Sequence, residues 1–141
     1  DGVPYNRPVF RKFLPATATE LYQNYTAINI PLMRYANVLL MKAEVLNEMG
    51  QTAQAIPLIN EVRSVHGNMP PMTGTTQEDV RRQIEHERMI EFPLENYRWY
   101  DLRRWGKLQE AMQTAGRTNF SMENAFYPVP LTEINTNDQL K

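Results

Sequence analysis

His86-Glu87-Arg88-Met89-Ile90 is the fragment with the strongest formal claim to chemistry. A zinc protease helix begins His-Glu and sets a second His four residues after the first. Here that position is Ile90, and the other histidine, His66, belongs to a different segment. No metal site is expected, and no cofactor. A second possibility is acid and base work by Glu87, Glu91 and Glu95, in the manner of the paired carboxylates of glycosidases. The six glycines are scattered, so there is neither a phosphate-cradling loop nor a Gly-x-Ser-x-Gly elbow. No catalytic nucleophile is indicated.

Placement on a helix decides what the acids can do. Taking Val80 as the origin, Ile84 falls at about 40°, Glu87 at about −20° and Glu91 at about 20°, so both acids share the apolar stripe. Counted from Tyr97, Asp101 falls at about 40°, Arg104 at about −20°, Trp105 at about 80° and Leu108 at about 20°. Isolated charge on a core face is costly, and Arg suits such a place because its planar fork meets a carboxylate with two hydrogen bonds. The expectation is a partly buried ion network between a third and a fourth helix, made of Glu87, Arg88, Glu91, Arg98, Asp101 and Arg104. Three charges of each sign balance it. Trp105, on the stripe, is read as a structural aromatic. Trp99 falls near 200°, off the stripe, and it and Tyr100 could stack on sugar faces. The loop aromatics Tyr22, Tyr25 and Phe120 are further candidates, but nothing singles out a ligand-contacting residue.

Four helices must carry these residues. Residues 1–30 hold Pro4, Pro8 and Pro15 among aromatics with no 3.6-residue period, which predicts an extended or looped segment with a possible short strand at Val9–Leu14. From Leu32 to Met49, after Pro31, the chain consists largely of helix formers and stops at Gly50. Thr52 can cap a second helix, TAQAIPLINEVRSV, in which Pro57 predicts a kink or a late start. Together, residues 31–66 match the spacing of a tetratricopeptide hairpin through Leu39, Ala43, Leu46, Gly50, Ala55, Ile59 and Val62. A loop, HGNMPPMTGTT, is expected to be exposed and mobile. Residues 76–115 predict a helix pair: Thr76 and Asp79 cap a helix from about Gln77 to Phe92, Pro93 to Asn96 break it, and a fourth helix runs from about Tyr97 to Thr114. In residues 116–141, Pro128 and Pro130 predict an extended tail, packed through Phe126 and Tyr127. The fold class is all-α, tetratricopeptide-like helical hairpins between Pro-rich extended ends, in a single domain.

Composition narrows the function classes. The chain has 141 residues, 42% hydrophobic and 22% charged, as folded domains do. With 15 basic residues against 16 acidic there is no excess of positive charge to hold nucleic acid. No cysteine is present, so disulfides and thiolate zinc sites are excluded. The longest apolar run, Val38 to Met41, is far too short to span a bilayer.

Three blocks, RYANVLLMKAEVLNEMG with INEVR, then ERMIEFPLENYRWYDLRRWGKL, then FYPVPLTEI, together resemble the C-terminal region of the SusD/RagB family, the outer-membrane nutrient-binding lipoproteins of Bacteroidetes. The resemblance covers roughly Leu32 to Leu140. It implies a lid-like, non-enzymatic protein on the cell surface that captures oligosaccharides, or peptides in some relatives, and passes them to a SusC-type TonB-dependent transporter. Because such proteins are several times longer, it also implies that the lipid anchor lies outside these 141 residues, and it carries no ligand-contacting residue onto them. A reading from a different class, resting on the hairpin alone, is a tetratricopeptide-type adaptor that grips a protein segment.

Overall fold

The computed structural model describes residues 10, 12–14, 19 and 28–140. Among them the regular structure is all helical, in the order α1 (Tyr35–Glu48), α2 (Thr52–Gly67), α3 (Gln77–Glu91), α4 (Tyr97–Arg104), α5 (Leu108–Thr114) and α6 (Leu131–Thr136), with 3-10 turns at Met122–Ala125 and Asp138–Leu140. Of the possible strand, Val9 and Arg11 lie outside the described residues, and Lys12 and Phe13 form a turn. The chain divides into two compact units, Asp1–Glu95 and Asn96–Lys141.

In the first unit α1 and α2 form the tetratricopeptide-like hairpin, and α3 packs against both. Ala43 and Ala55 have no exposed surface, so the helices approach closely there, and Leu39, Leu40, Ile59 and Val62 fill the remainder of the seam with Val80 and Ile84 of α3. Gly50 turns the chain with φ +76°. Its N–H bonds to the Asn47 carbonyl (3.0 Å) and the Gln51 N–H to the Leu46 carbonyl (2.8 Å), the crossed pair that closes a helix on a left-handed residue. Pro57 sits within α2 without delaying its start at Thr52. The cost is one backbone bond, at an exposed position near the N-terminal end.

Two buried asparagines that hydrophobic periodicity does not reveal tie α3 to α1. Asn47 donates to the Gln77 carbonyl (2.9 Å) and the Gln77 side chain donates back to the Asn47 carbonyl (2.6 Å). Asn37 accepts from Arg88 Nη1 (2.8 Å). The loop between α2 and α3 is tied down at two points: Arg63 Nε donates to the Pro70 carbonyl (2.9 Å), and the Met72 N–H donates to Asn60 (2.8 Å). Met72 is accordingly buried while the rest of the loop is exposed. The expected cap of α3 is present, with the Asp79 N–H bonding to the Thr76 hydroxyl and the Asp79 carboxylate to the Thr76 N–H.

In the second unit the expected fourth helix is two. Gly106 adopts φ +70°, and the Lys107 N–H bonds to the Leu102 carbonyl (2.8 Å), which ends α4 and lets α5 begin at Leu108. Leu102, Leu108 and Ala125 form a small core, with Ala111, Met112 and Phe120 against it. The tail contacts this core through Ala125, whereas Tyr127 is fully exposed and Phe126 lies under the Arg103 guanidinium, 4.1 Å from the ring centroid. Beyond the extended residues around Pro128, Pro130 caps α6 with Glu133 in its first turn, where an acid suits the helix dipole.

Candidate functional site

The carboxylates that invited an acid-base reading sit along the last two turns of α3 and just beyond it, and each has basic partners. Glu87 is buried and ion-paired with Arg63 of α2, itself buried, and it accepts from Gln83 (2.6 Å). Glu91 accepts from Arg34 Nη1 (2.6 Å) and contacts His66 Nδ1 (2.7 Å). Glu95 accepts from Arg34 Nε at both oxygens (3.1 Å each) and from Nη2 (2.8 Å), and is also paired with Lys12. Arg34 therefore stands at the head of α1 as a fork bridging the acid that ends α3 and one in the turn that follows it. Arg34 and Arg88 also place their guanidinium carbons 5.2 and 5.1 Å from the centroid of buried Phe92, and cation–π attraction adds to the pairing.

The electrostatics of the Arg34–Glu95 pair agree with its geometry. Burial opposes the charge on Glu95, yet the hydrogen bonds from Arg34 and Lys12 hold its carboxyl below the usual range. Burial likewise works against the Arg34 charge, and the bonds to Glu95 and Glu91 outweigh it, so the guanidinium is held more tightly protonated than usual. A general acid at neutral pH needs its carboxyl raised, and Glu95 is moved the other way. Among the described residues no buried side-chain nitrogen or oxygen lacks a partner, and no group of three or more potential ligands could hold a metal.

The remaining residues expected to form the ion network lie in the second unit. Asp101 is buried and accepts from Arg104 Nε (3.0 Å), one turn further along α4. Arg104 also covers the Trp105 ring at 4.7 Å, so Trp105 and two of the charges form one local stack. Arg98 is exposed. The helical wheel identified the acids on the core face, but it missed the cations that meet them in the first unit: Arg34, Arg63, Lys12 and His66 come from segments before α1 or from α2. Arg34 opens the first of the three blocks quoted above and Arg63 closes INEVR, and a charged residue at the end of an apolar stripe was the available signal.

Trp99 meets Phe120 edge to face, with centroids 6.1 Å apart, so this pair is committed to each other more than to a ligand. Tyr22 and Tyr25 lie outside the described residues. The open spaces in the second unit are shallow: a cleft of about 430 Å³ lined by Gly106, Gln109, Glu110, Gln113, Thr114 and Met122, and another of about 350 Å³ beside Met112 and Phe120.

Comparison with known proteins places this geometry in context. The model of the SusD family matches residues 2–141. Two SusD-like proteins of Formosa agariphila, P38 and P2, are 40% identical over 92 residues and 34% identical over 120 residues, covering 60% and 77% of this chain. The crystal structure of a SusD superfamily protein from Bacteroides vulgatus superimposes with a TM-score of 0.69 at 36% identity over 75% of the chain. The matched part amounts to 18%, 24% and 25% of those three proteins, so the chain spans a quarter of their length or less.

Proposed function

The chain belongs to the SusD family, and on that premise we propose that it is part of a non-enzymatic binding protein which captures oligosaccharide nutrients at the surface of the outer membrane. The captured glycan passes to a SusC-type TonB-dependent transporter, and the ligand is released to it chemically unchanged. The observation that carries the non-catalytic part is the saturation of the acids at the end of α3 and just beyond it: Glu87, Glu91 and Glu95 are each paired with a cation and hydrogen-bonded. A carboxylate whose oxygens are already occupied by such partners is poorly placed to reach a substrate and shuttle its protons. These residues hold α3 and the segment after it against α2 and the head of α1.

Affinity electrophoresis of the complete gene product through gels containing different polysaccharides tests this reading. Retardation by at least one glycan is expected. Retardation by none, with binding of oligopeptides instead, favours the peptide-capturing version of the same family role. The adaptor reading draws on the α1–α2 hairpin and predicts capture of a protein segment in preference to either. In the cell, the protein is expected to co-purify with a TonB-dependent transporter from solubilised outer membranes.

A further inference from the structure

Arg34, Arg63, Arg81, Arg82 and Arg88 are committed to acids or to an amide. Arg117, in the loop that follows α5, has no side-chain partner among the described residues, and neither do Thr118 and Asn119 beside it. All three are exposed, and they line the cleft of about 350 Å³ whose other walls are Met112, Gly116 and Phe120. The loop that presents them is held in place. At φ +86°, Gly116 brings its own N–H to the Gln113 carbonyl (3.0 Å) and the Arg117 N–H to the Met112 carbonyl (2.9 Å), the crossed pair that closes a helix. The Phe120 N–H then bonds to the Arg117 carbonyl (3.0 Å), the Gln113 side chain donates to the Phe120 carbonyl (3.1 Å), and Trp99 meets the Phe120 ring edge to face. A cation is favoured at the end of a helix, but the carbonyls of Met112 and Gln113 are taken by backbone N–H groups, which leaves the guanidinium for another partner.

We infer that this cleft is a subsite for an acidic sugar unit, a uronate or a sulfate ester, within the glycan captured under the proposed function, on which the inference rests. The planar guanidinium fork matches a carboxylate or a sulfate with paired hydrogen bonds. Asn119 offers donors and an acceptor, and Thr118 a hydroxyl, for the ring hydroxyls of the same sugar. Met112 and Phe120, both partly buried against the small core, supply an apolar wall for its C–H surface. The volume stands near the lower end of the range for small-ligand sites, which suits a single ring, and the shallow form lets a glycan chain continue on either side. Because the loop is already fixed, little ordering remains to be done on binding. Among the described residues no carboxylate lines this cleft, so nothing in its walls repels an anion. The larger cleft of the second unit has Glu110 and no cation in its lining, so a preference for acidic sugars belongs to the Arg117 side.

The test prints uronate-containing and sulfated oligosaccharides on an array, each beside its carboxyl-reduced or desulfated counterpart, and applies the complete gene product and its Arg117→Gln and Arg117→Lys variants. At least one acidic glycan should be bound at least about fivefold more strongly than its neutral counterpart. Arg117→Gln should bring that ratio down to about one, and Arg117→Lys should keep part of it, as a point charge without the fork. The set in which the preference appears identifies the anion as carboxylate or sulfate. An unchanged helical circular-dichroism signal in both variants separates loss of the subsite from loss of folding. Equal binding of acidic glycans and their neutral counterparts, or a preference that survives Arg117→Gln, would overturn the inference and leave glycan capture standing. Binding of no glycan at all would overturn both.

Discussion

Removing either member of the Arg63–Glu87 pair should destabilise the first unit far more than removing both. The side chains are 9% and 3% exposed, so neither can regain water when its partner is lost, and breaking a buried pair on one side costs about 3–5 kcal/mol. Glu87→Gln keeps the shape and leaves the Arg63 charge facing a neutral amide, with the Pro70 carbonyl as a remaining acceptor; the expected loss is about 3 kcal/mol. Arg63→Met strands Glu87 with Gln83 and also unties the loop at Pro70, for a similar or larger loss. In the double variant Arg63→Met/Glu87→Leu neither charge of the pair is left without its partner, and the cost should fall below about 2 kcal/mol despite the lost bonds to Gln83 and Pro70. Urea unfolding followed by circular dichroism reads this directly. With a slope of about 2 kcal/mol per molar urea, each single variant shifts the midpoint down by about 1.5 M. Single effects below about 0.5 kcal/mol that simply add in the double variant would show that the pair is solvated and that the burial argument is wrong.

Acid sensitivity follows from Glu95. Its ordinary value is 4.5 and the folded value is lower, so its pairing contributes fully above pH 4.5 and is lost as the pH falls through the folded value. The urea midpoint should drop in that window, and Arg34→Met should flatten the drop; an unchanged pH slope in that variant would count against it. Gly50→Ala meets no neighbouring atom and should cost about 1 kcal/mol through its left-handed backbone alone, whereas at Gly74, φ +92°, a Cβ would lie 2.8 Å from the Asp79 side chain, so Gly74→Ala should cost more. Equal thermal shifts for the two would refute that ordering. Arg104→Ala should cost about 2 kcal/mol, because the Asp101 carboxylate, 5% exposed, loses its bond from Arg104; a loss under about 0.5 kcal/mol by urea titration would mean Asp101 is effectively solvated.

Local signals in the chain were strong for the helices of the first unit. Helix formers ending at Gly50, the Thr76–Asp79 cap and the Ala43 and Ala55 spacing are all contacts within a few residues or within one hairpin, and such short-range rules carry over directly into structure. The left-handed Asn96 before α4 was visible for the same reason. Gly106 offered the same signal as Gly50, but the apolar period continued through it from Asp101 to Leu108 and concealed the break between α4 and α5. The ion network was legible in part. A helical wheel identifies which charges face inward and says nothing about what faces them, so Glu87 and Glu91 stood out while Arg34 and Arg63, 57 and 24 residues away in sequence, did not. Asn37 and Asn47 escaped notice because a buried amide among apolar residues resembles an exposed one in sequence; only the approach of Arg88 and Gln77 gives each a buried role.

The central claim is that this chain belongs to a protein that binds a glycan and leaves it intact. Its most direct test is to incubate the complete gene product with a panel of oligosaccharides, recover the retained ligand, and weigh it by mass spectrometry. The account predicts at least one oligosaccharide bound and recovered at its starting mass. Recovery of shortened products, lost again in Glu87→Gln or Glu91→Gln while the fold persists, would contradict it.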